Sequence, residues 1–547
     1  MNRFTLLACF LLVVSGTAVS QSTHMPTTHE VYPFLKRMEA KQLLKDYRDA
    51  ALPLSRRQLA KNLLTLDSKR DSMTRYERRE YEFLKEEFQY EITSLQGDPE
   101  PSEIRWHLLS QPITDGILNL DFNYAIRYQK SGDDKINFRG QGLKISGYAF
   151  KDVGFYFNWV DYRESGSGLD AAKLNTPDKG VVTTKNIGDV IEYNNIDAQL
   201  SYQLGSFELS IEKLSNQWGF GRNGRVIFSD KAPSYPQIKM RVPLSNSIDF
   251  VYFHAELNSN VLDSARSYRT YSSSLADYFR PVNRPKFLAA HQLEFTPWDG
   301  VDISIGESIV YSDRGPLFLY LIPVMFFKAG EHYNKDPDNT QVFGSIDLNV
   351  INNVNMYFSF LIDEINTDDF LDPNKSRKQV GITLGFQTYD VLMRNLDFTF
   401  EYSRLNPWVY SHRYTAANFT SNGYDLGHWV GQNGDDLFLD LSYAFSRELR
   451  IGGGMEFYRK GGKLDVSYQY GGTTPDFLYA VDPFTGLQIS GPERKESSIR
   501  LHGTYQPLRD LFVEVQTRWL TIEDKFNPSL DRKNQFEFSI GAKLGVW

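Results

Sequence analysis

Two consecutive stretches of the chain alternate strictly between apolar and polar residues, and this alternation constrains the fold more than any other feature. In NNIDAQLSYQL the apolar Leu200 and Tyr202 share one parity, while Gln199 takes the other. After a break at Gly205-Ser206 the alternation resumes in FELSIEK. A period of two residues indicates β-strands, and a two-residue break with glycine indicates a tight hairpin. The apolar parity must face either a protein core or lipid.

The same alternation continues from about Pro101 to the end of the chain, and it is clearest in residues 118–129, 396–403 and 464–470. Many runs last about ten residues, which a tilted strand needs to cross a bilayer and which exceeds the length usual in soluble sheets. Tight breaks alternate with long polar loops, as in outer-membrane barrels. The predicted long loops are Arg163–Ile187, Asn258–Lys286, Gly330–Gln341, Thr367–Lys378, Asn406–Asp435 and Thr473–Glu496.

Residues 1–20 have the layout of a cleaved secretory signal, because Arg3 precedes the apolar run 4–14 and small residues follow it. The single cysteine, Cys9, lies in this segment, so the processed chain would have no disulfide and no thiolate metal site. A formal charge of -8 differs from the basic footprint of a nucleic-acid-binding protein. Aromatic residues make up 14% of the chain, which is typical of the interfacial girdles of barrels.

From Thr27 to about Leu95 the apolar residues follow a helical period instead. Three capping boxes predict helix starts: Thr27 with Glu30, Ser55 with Gln58, and Thr74 with Glu77. Each predicted helix is amphipathic and rich in Lys, Arg and Glu. This composition indicates a small, water-facing helical bundle rather than membrane insertion.

The sequence therefore predicts a mainly β protein, a large antiparallel transmembrane β-barrel of about 18 strands with an N-terminal periplasmic α-helical bundle. The predicted domains are a signal peptide (1–20), the periplasmic bundle (21–100) and the outer-membrane barrel (101–547). The side chains predicted to face lipid are Ile196, Leu200, Tyr202, Leu204, Phe207, Leu209 and Ile211. Those predicted to face the lumen are Asp197, Gln199, Glu208 and Glu212. The last residue, Trp547, falls on the opposite parity from the apolar set of the final strand.

A literal dinucleotide-binding motif, G-x-G-x-x-G, occurs at Gly219–Gly224. The following residues include Pro233 and Pro236 and contain no apolar helix, so the strand–loop–helix context of a pyrophosphate site is missing. We interpret these glycines as part of a loop where a strand leaves the membrane. The chain also contains no G-x-S-x-G nucleophile motif. No catalytic residue, metal ligand or cofactor is predicted.

Aromatic and charged residues occur together in two predicted loop regions, RLNPWVYSHRY and LGHWVGQNGDD. Aromatic faces stack on the apolar faces of sugar rings, while carboxylate, Arg and His groups bond sugar hydroxyls. These loops therefore suit a carbohydrate ligand. For any single residue, the alternative of an interfacial aromatic girdle beside polar loops stays equally open.

Several stretches resemble the capsule assembly Wzi family, in the same order along the chain. They are VYPFLKRMEAKQLLKDYRDAALPLSRRQLAKNLL, WGFGRNG, FSDKAPSYPQIKMR, LIDEIN, YSRLNPWVYSHRY and GYDLGHWVGQNGDD. The resemblance implies an outer-membrane barrel with a periplasmic helical bundle that acts as a surface lectin for capsular polysaccharide. The carbohydrate-binding candidates within the matching stretches are Arg222, Asp363, Glu364, Arg404, Trp408, Tyr410, His412, Arg413, His428 and Trp429. Asp363 and Glu364 are interpreted first as a lumen-facing pair that braces the barrel against a Lys or Arg across the strand.

The sequence therefore predicts an outer-membrane lectin that anchors or organises capsular polysaccharide or exopolysaccharide and is not an enzyme. The expected partners are the polysaccharide, outer-membrane lipid and a polysaccharide export machinery reached through the helical bundle, with no nucleic acid. Two alternatives stay open. The polar parity would also line the lumen of a porin or uptake channel, and a barrel hydrolase is the third hypothesis.

Overall fold

The computed structural model describes most of the chain in nine ranges. These are residues 23–97, 105–150, 153–174, 176–272, 275–335, 337–364, 379–461, 494–525 and 528–545. The predicted signal peptide, the predicted strand at 464–470, the predicted loop at 367–378, most of the predicted loop at 473–496, and Trp547 lie outside the described residues.

In the part of the chain that the structure describes, four helices precede the barrel and two short helices lie in a barrel loop. In chain order they are α1 (Val31–Ala40), α2 (Arg56–Asp67), α3 (Arg75–Glu87), α4 (Gln89–Leu95), α5 (Phe318–Leu321) and α6 (Phe327–Tyr333). Among the described residues, no helix combines the length and the apolar character needed to cross a bilayer. The first four helices share an apolar core that includes Leu35, Leu63, Tyr81, Leu84 and Phe88.

The helix starts follow two of the three predicted capping boxes. Thr74 and Glu77 cap α3 reciprocally, with N–H···O distances of 3.2 and 2.8 Å, and the Ser55 hydroxyl accepts the Gln58 N–H at the start of α2. The prediction for Thr27 is wrong, because α1 begins at Val31 without a side-chain cap from Glu30.

The His29 imidazole takes the place of the Thr27 cap. Its Nδ1 accepts the Val31 N–H at 3.1 Å. Burial lowers the pKa of His29 to about 3, so the ring is neutral and one nitrogen keeps the lone pair that the helix start needs.

Eighteen antiparallel strands close into one barrel, which confirms the predicted fold class and strand number. In chain order, β1 to β18 are Gly116–Ser131, Asp134–Ala149, Val153–Ser165, Val190–Leu204, Phe207–Leu214, Tyr235–Ser245, Ile248–Leu262, Asn283–Trp298, Val301–Ser312, Asn339–Ile351, Val354–Glu364, Gln379–Tyr389, Leu396–Leu405, Gly434–Ala444, Leu449–Lys460, Arg494–Leu508, Leu511–Asp524 and Arg532–Leu544. Strand β18 pairs with β1 and closes the ring. The additional strands Leu109–Ile113 and Thr183–Ile187 pair with β1 and β4.

The apolar residues of β4 and β5 face outward, so the alternation in residues 194–213 is that of a membrane barrel. Leu200 is 54% exposed and Ile211 63%, whereas Gln199 is 4% exposed and Glu212 3%. Gly205 adopts a φ of +59° in the predicted two-residue turn between β4 and β5, a conformation in which glycine carries no steric penalty. A soluble barrel would bury the apolar set, so the surrounding phase is lipid.

Most described loops agree with the prediction, but one is longer than expected. Connections at 166–189, 263–282 and 406–433 fall within or close to predicted loops. The connection predicted at Gly330–Gln341 instead begins at Asp313. The apolar run 317–327 contains α5 and the first residue of α6.

The helical region packs across the end of the barrel where the short turns lie. Lys41 Nζ lies 2.8 Å from Asp390 in the turn between β12 and β13. Arg79 of α3 lies 3.0 Å from Glu448 in the turn between β14 and β15. Short turns are periplasmic in bacterial barrels, which is consistent with a periplasmic N-terminal region.

The chain between α1 and α2 passes into the lumen and joins a large apolar core there. Ala51 pairs with Trp218 as a short two-stranded sheet. The Arg241 guanidinium, on the inner face of β6, donates to the Ala51 carbonyl at 2.8 Å. The core combines inward-facing residues of the wall, such as Phe253 and Phe343, with two loops that fold into the barrel.

Replacing Leu200 by Arg should lower the free energy of unfolding by about 2–4 kcal/mol, since it places a charge on the lipid face. The matched control is Leu200→Met, which keeps the site apolar. Urea unfolding of protein folded into lipid vesicles measures the difference. Equal stability of the two variants would mean that this parity does not face lipid.

Candidate functional site

Two loops fold into the mouth of the barrel, and most of the predicted site residues lie on them. The first loop covers residues 215–234 and the second covers 406–433. They bond to each other through the backbone, since the Ser229 N–H donates to the Leu426 carbonyl at 2.8 Å. We call them the first and second mouth loops.

Tyr410 and Trp429 fasten the two mouth loops together. The Tyr410 hydroxyl donates to the Val226 carbonyl at 2.6 Å and accepts the His428 N–H at 3.1 Å. The Trp429 indole N–H donates to the Asn223 carbonyl at 2.8 Å. Both rings are buried, as is Trp408. Their faces therefore pack on protein.

His428 is fully buried between the mouth loops. Its Nδ1 accepts the Val430 N–H at 3.2 Å, and its ring lies so close to Gly224 that a Cβ there would stand 2.3 Å from Nε2. Burial lowers the pKa of His428 to about 3, helped by the positive charge of Lys460. The imidazole is thus neutral and has a packing role in the described contacts.

Asp363 and Arg404 lie at the mouth ends of wall strands. The Asp363 carboxylate accepts the Gln341 amide N–H at 2.9 Å and the Tyr410 backbone N–H at 2.7 Å. Asp363 therefore braces the neighbouring strand and the second mouth loop. Arg404 is buried and donates to Asn406 Oδ1 at 3.1 Å. The side chain of Glu364 lies outside the described residues.

Of the remaining candidates, His412 and Arg413 lie beside Tyr414, whereas Arg222 lies elsewhere. His412 is buried beside Tyr414, while Arg413 is exposed and places its guanidinium 5.2 Å from the centre of the Tyr414 ring. Arg222 lines a separate cavity of about 370 Å³ toward the short-turn end, together with Arg37 of α1. The predicted residues thus form a packed loop core and a few separate exposed groups.

The glycine motif at 219–224 encloses a carboxylate instead of a phosphate. The backbone N–H groups of Arg222 and Asn223 donate to the Glu401 carboxylate at 2.5 and 2.8 Å. Glu401 also accepts the Tyr357 hydroxyl at 2.6 Å. The motif therefore fixes the first mouth loop to strand β13, in keeping with its interpretation as loop glycines.

The larger cavity lies elsewhere, and none of the ten predicted site residues lines it. It has a volume of about 520 Å³ and lies between the inner wall of β1 to β5, loop residues 173–182 and N-terminal residues 24–28. Its size falls within the range of small-molecule pockets. We call it the wall cavity.

Aromatic rings form a ladder along the wall cavity. The ring centres of Phe138 and Tyr162 are 5.2 Å apart with planes at 34°, and those of Tyr162 and Tyr193 are also 5.2 Å apart with planes at 30°. The Arg127 guanidinium lies 5.0 Å from the Phe138 ring centre. The Tyr193 hydroxyl donates to Glu164 at 2.6 Å, which fixes that ring in place.

Polar groups with unused hydrogen-bonding capacity surround the ladder. Arg127 Nε, Asp197 Oδ1 and Ser215 Oγ are buried without a hydrogen-bond partner among the residues that the structure describes, and all three residues line the wall cavity. The lining contains four basic and four acidic side chains. Such a surface offers both ring faces and hydroxyl-binding groups to a ligand.

A sequence signal for the wall cavity lies in the position of its aromatic residues. Phe138, Tyr156, Tyr162 and Tyr193 are aromatic residues on the inward parity of their strands, which also carries polar residues such as Lys144, Asn158 and Gln199. Aromatic residues of an outer girdle would occupy the opposite parity. An aromatic residue on the polar parity therefore indicates a lumen contact.

One carboxylate cluster has the spacing of a metal site. Glu39, Asp302 and Asp347 each place an oxygen within 4.8 Å of the others. Lys36 already supplies a positive charge there, since its Nζ lies 2.9 Å from Glu39 and 3.0 Å from Asp347. An ion-pair network accounts for this cluster.

One solved outer-membrane barrel matches the fold of the chain over nearly its whole length. The crystal structure of Wzi, described as an outer-membrane protein involved in group 1 capsule assembly in Escherichia coli and as a carbohydrate-binding β-barrel, matches with a TM-score of 0.58 at 10% identity, over 96% of this chain and 100% of that one. This similarity shows a shared fold.

Two further solved structures match less closely. Pseudomonas aeruginosa OccD3 has a TM-score of 0.42 at 13% identity, over 81% of this chain and 94% of its own. Acinetobacter baumannii OccAB2 has a TM-score of 0.41 at 11% identity, over 78% of this chain and 97% of its own. These scores are too low to support a functional comparison, and no curated protein sequence matches the chain.

The family comparison is decisive because it covers most of the chain. Residues 161–535 match the family model described as capsule assembly protein Wzi. The matched region contains both mouth loops and most of the barrel wall. The chain therefore belongs to the capsule assembly protein Wzi family.

Proposed function

We propose that the protein is a non-catalytic outer-membrane lectin that anchors or organises capsular polysaccharide or exopolysaccharide at the cell surface. Membership of the capsule assembly Wzi family supports this role. The description of the Escherichia coli protein as a carbohydrate-binding barrel supports it as well. The observation that carries the proposal is the aromatic ladder of the wall cavity.

The wall cavity suits a short stretch of a glycan. Tyr162 and Tyr193 are held by their neighbours, so a sugar ring stacking on them would cost little side-chain entropy. Arg127 and Ser215 can donate to sugar hydroxyls, while Asp197 can accept from them. The lining contains equal numbers of basic and acidic side chains. The cavity therefore does not require a strongly acidic glycan.

The proposed orientation in the cell follows from the short turns of the barrel, because such turns are periplasmic in bacterial barrels. Residues 1–20 direct export, residues 21–100 form the periplasmic helical region, and residues 101–547 form the outer-membrane barrel. The exposed arginines at the start of α3, including Arg75 and Arg78, give the helical region a basic surface. That surface supports contact with a polysaccharide export machinery in the periplasm. Outer-membrane lipid surrounds the barrel.

Removing two rings of the ladder should release glycan from cells. A deletion strain carrying Tyr162→Ala/Tyr193→Ala should shift glycan from the cells to the medium at unchanged total synthesis. The affinity of the purified variant for the glycan should fall about tenfold to a hundredfold, since two stacking contacts are lost. Cell-bound and released glycan are measured together.

The matched control is Tyr278→Ala, which removes an exposed tyrosine on the loop between β7 and β8. This variant should retain glycan like the wild type. Retention by the double variant would exclude the wall cavity as the binding site. An unchanged glycan distribution in the deletion strain itself would contradict the lectin role and would favour a channel, which bilayer conductance would then test.

A further inference from the structure

The connection between β9 and β10 lies against the outside of the barrel instead of extending above its rim. On β7, Val251 and Phe253 face inward, because they belong to the same core as Trp218. Tyr252 alternates with them and faces outward. Tyr320 of α5 packs in a separate apolar cluster with Tyr252. The connection therefore covers an outer patch of the wall, and we call residues 313–335 the external flap.

Specific contacts hold the external flap on the wall. The Tyr252 hydroxyl donates to the Tyr320 carbonyl at 2.9 Å. The Phe327 N–H donates to the Glu307 carboxylate at 2.7 Å. The Phe327 ring centre lies 4.6 Å from that of His291. Backbone, carboxylate and ring contacts together fix the flap against β7, β8 and β9.

The external flap reaches well into the membrane region. Glu307 lies six residues along β9 from Val301, which starts the strand at the short-turn end. At about 3.3 Å per residue and a tilt of about 40°, this corresponds to about 15 Å along the barrel axis. The apolar band of such barrels is about 25 Å tall. The contact of Phe327 with Glu307 thus falls within that band.

The flap covers polar groups that would otherwise face hydrocarbon. His291 Nε2 lies 3.3 Å from the Glu307 carboxylate, and His254 Nε2 lies 2.7 Å from the Tyr311 hydroxyl. All of these side chains are on the outward parity of β7, β8 and β9. Polar and ionisable groups on a lipid-facing wall are costly unless protein covers them.

The free side of the flap is apolar and continues the lipid-facing surface of the barrel. Phe318 is 87% exposed and Val324 78%, and Phe326 and Tyr333 are also exposed. The run 317–327 contains no charged residue. Neighbouring outward residues of the wall, such as Ile305, are exposed and apolar too. In water, a contiguous apolar surface of this kind marks an interaction site. Here the surface lies beside the lipid-facing wall.

We propose that the external flap is embedded in the membrane and that its exposed apolar side chains contact the acyl chains of the surrounding lipid. The flap then acts as a cover that lets β7 to β9 carry His254, His291 and Glu307 within the apolar band. Lys328 directly follows the apolar run and pairs with Glu331 at 2.8 Å. Lys335 lies at the end of the flap, where a long cationic side chain can extend toward lipid headgroups. This inference is independent of the proposed lectin role.

The test uses spin labels, because Cys9 is the only cysteine of the chain. In a Cys9→Ser background, nitroxide labels are attached at Val324→Cys and, as a second position, at Phe318→Cys. The proteins are folded into phospholipid vesicles. Collision of the label with oxygen, which partitions into lipid, and with a water-soluble nickel chelate is measured by electron paramagnetic resonance.

Two reference positions frame the outcome. Leu200→Cys reports the lipid-facing wall, and Arg413→Cys reports an exposed mouth-loop position. Labels on the flap should match Leu200→Cys, with high oxygen and low nickel accessibility. Accessibility like that of Arg413→Cys at both flap positions would overturn the proposal. Low accessibility to both reagents, with dipolar broadening between labels, would also overturn it and would assign the surface to contact with a second copy of the chain.

Discussion

Replacing Lys36 by Met is expected to lower the stability of the docked helical region by about 3–5 kcal/mol and to raise ion conductance through the barrel. The Lys36 ammonium on α1 donates to Glu39, Asp49 and Asp347 at 2.9, 2.8 and 3.0 Å. Asp347 belongs to wall strand β10. Methionine has a similar shape but leaves three buried carboxylates without their shared cation.

The charge state of Lys36 supports this expectation. Burial alone lowers the pKa of a lysine, but attraction from Asp347, Asp49 and Glu39 outweighs burial and raises the pKa of Lys36 well above its usual value. The ammonium is therefore charged at neutral pH. Its loss removes the cation that three carboxylates share and leaves a cluster of repelling or newly protonated carboxylates.

The measurement combines conductance in planar bilayers with thermal unfolding. Lys69→Met, at an exposed position between α2 and α3, is the matched control and should change neither property. Undocking of α1 would increase conductance and would lower the first unfolding transition. Identical behaviour of the two variants would show that Lys36 does not hold the helical region in the barrel.

Trp218→Ala is expected to reduce the free energy of unfolding of the mouth loops by about 3–5 kcal/mol, since it leaves a large cavity in a packed core. Trp218 is fully buried. Its ring meets Phe228, Phe253 and Phe343 edge to face at 5.4, 5.1 and 6.0 Å between ring centres. Phe228 belongs to the first mouth loop, and the other two rings belong to the wall.

The position of Trp218 also couples the N-terminal segment to the first mouth loop, both of which lie in the lumen. Its backbone pairs with Ala51 of the N-terminal segment and with Phe228 of its own loop. Hydrogen exchange should therefore accelerate both in residues 215–234 and around Ala51. Trp106→Ala, at an exposed tryptophan, serves as the control. Faster exchange in only one of the two regions would contradict the coupling.

These two experiments bear on the channel alternative. The N-terminal segment and both mouth loops fill the lumen beside β6 to β15 with an apolar core. An open porin keeps a polar, water-filled lumen. Low conductance of the wild type, increased by Lys36→Met, would fit a barrel that holds a ligand rather than one that passes solutes.

Local patterns in the sequence were sufficient for the barrel and for two helix starts. The outward direction of Leu200 and the inward direction of Gln199 depend only on the two-residue period and on whether lipid or water surrounds the wall. The turn at Gly205 and the capping box at Thr74 are contacts between near neighbours in the chain. Such features are recognisable because the interacting residues are close in sequence.

The candidate site shows where local patterns stop being sufficient. Tyr410 and Trp429 have the composition of a sugar-binding loop, yet they face the first mouth loop and are buried. The same residue types serve a loop core or a ligand, and only their three-dimensional neighbours distinguish the two. The aromatic rings of the wall cavity, such as Tyr162 and Tyr193, come from separate strands, so their ladder exists only once the barrel closes.

The amino-acid sequence by itself thus determined the fold class, the direction in which β4 and β5 present their apolar sides, and the family to which the chain is similar. Tertiary structure alone decided that the loops fill the mouth, that Lys36 ties α1 to the wall, and that the apolar run 317–327 lies outside the barrel. The physical reason is the range of the interactions. Alternation and capping act over a few residues, whereas burial of loops, ion-pair networks and cavities depends on contacts between segments hundreds of residues apart.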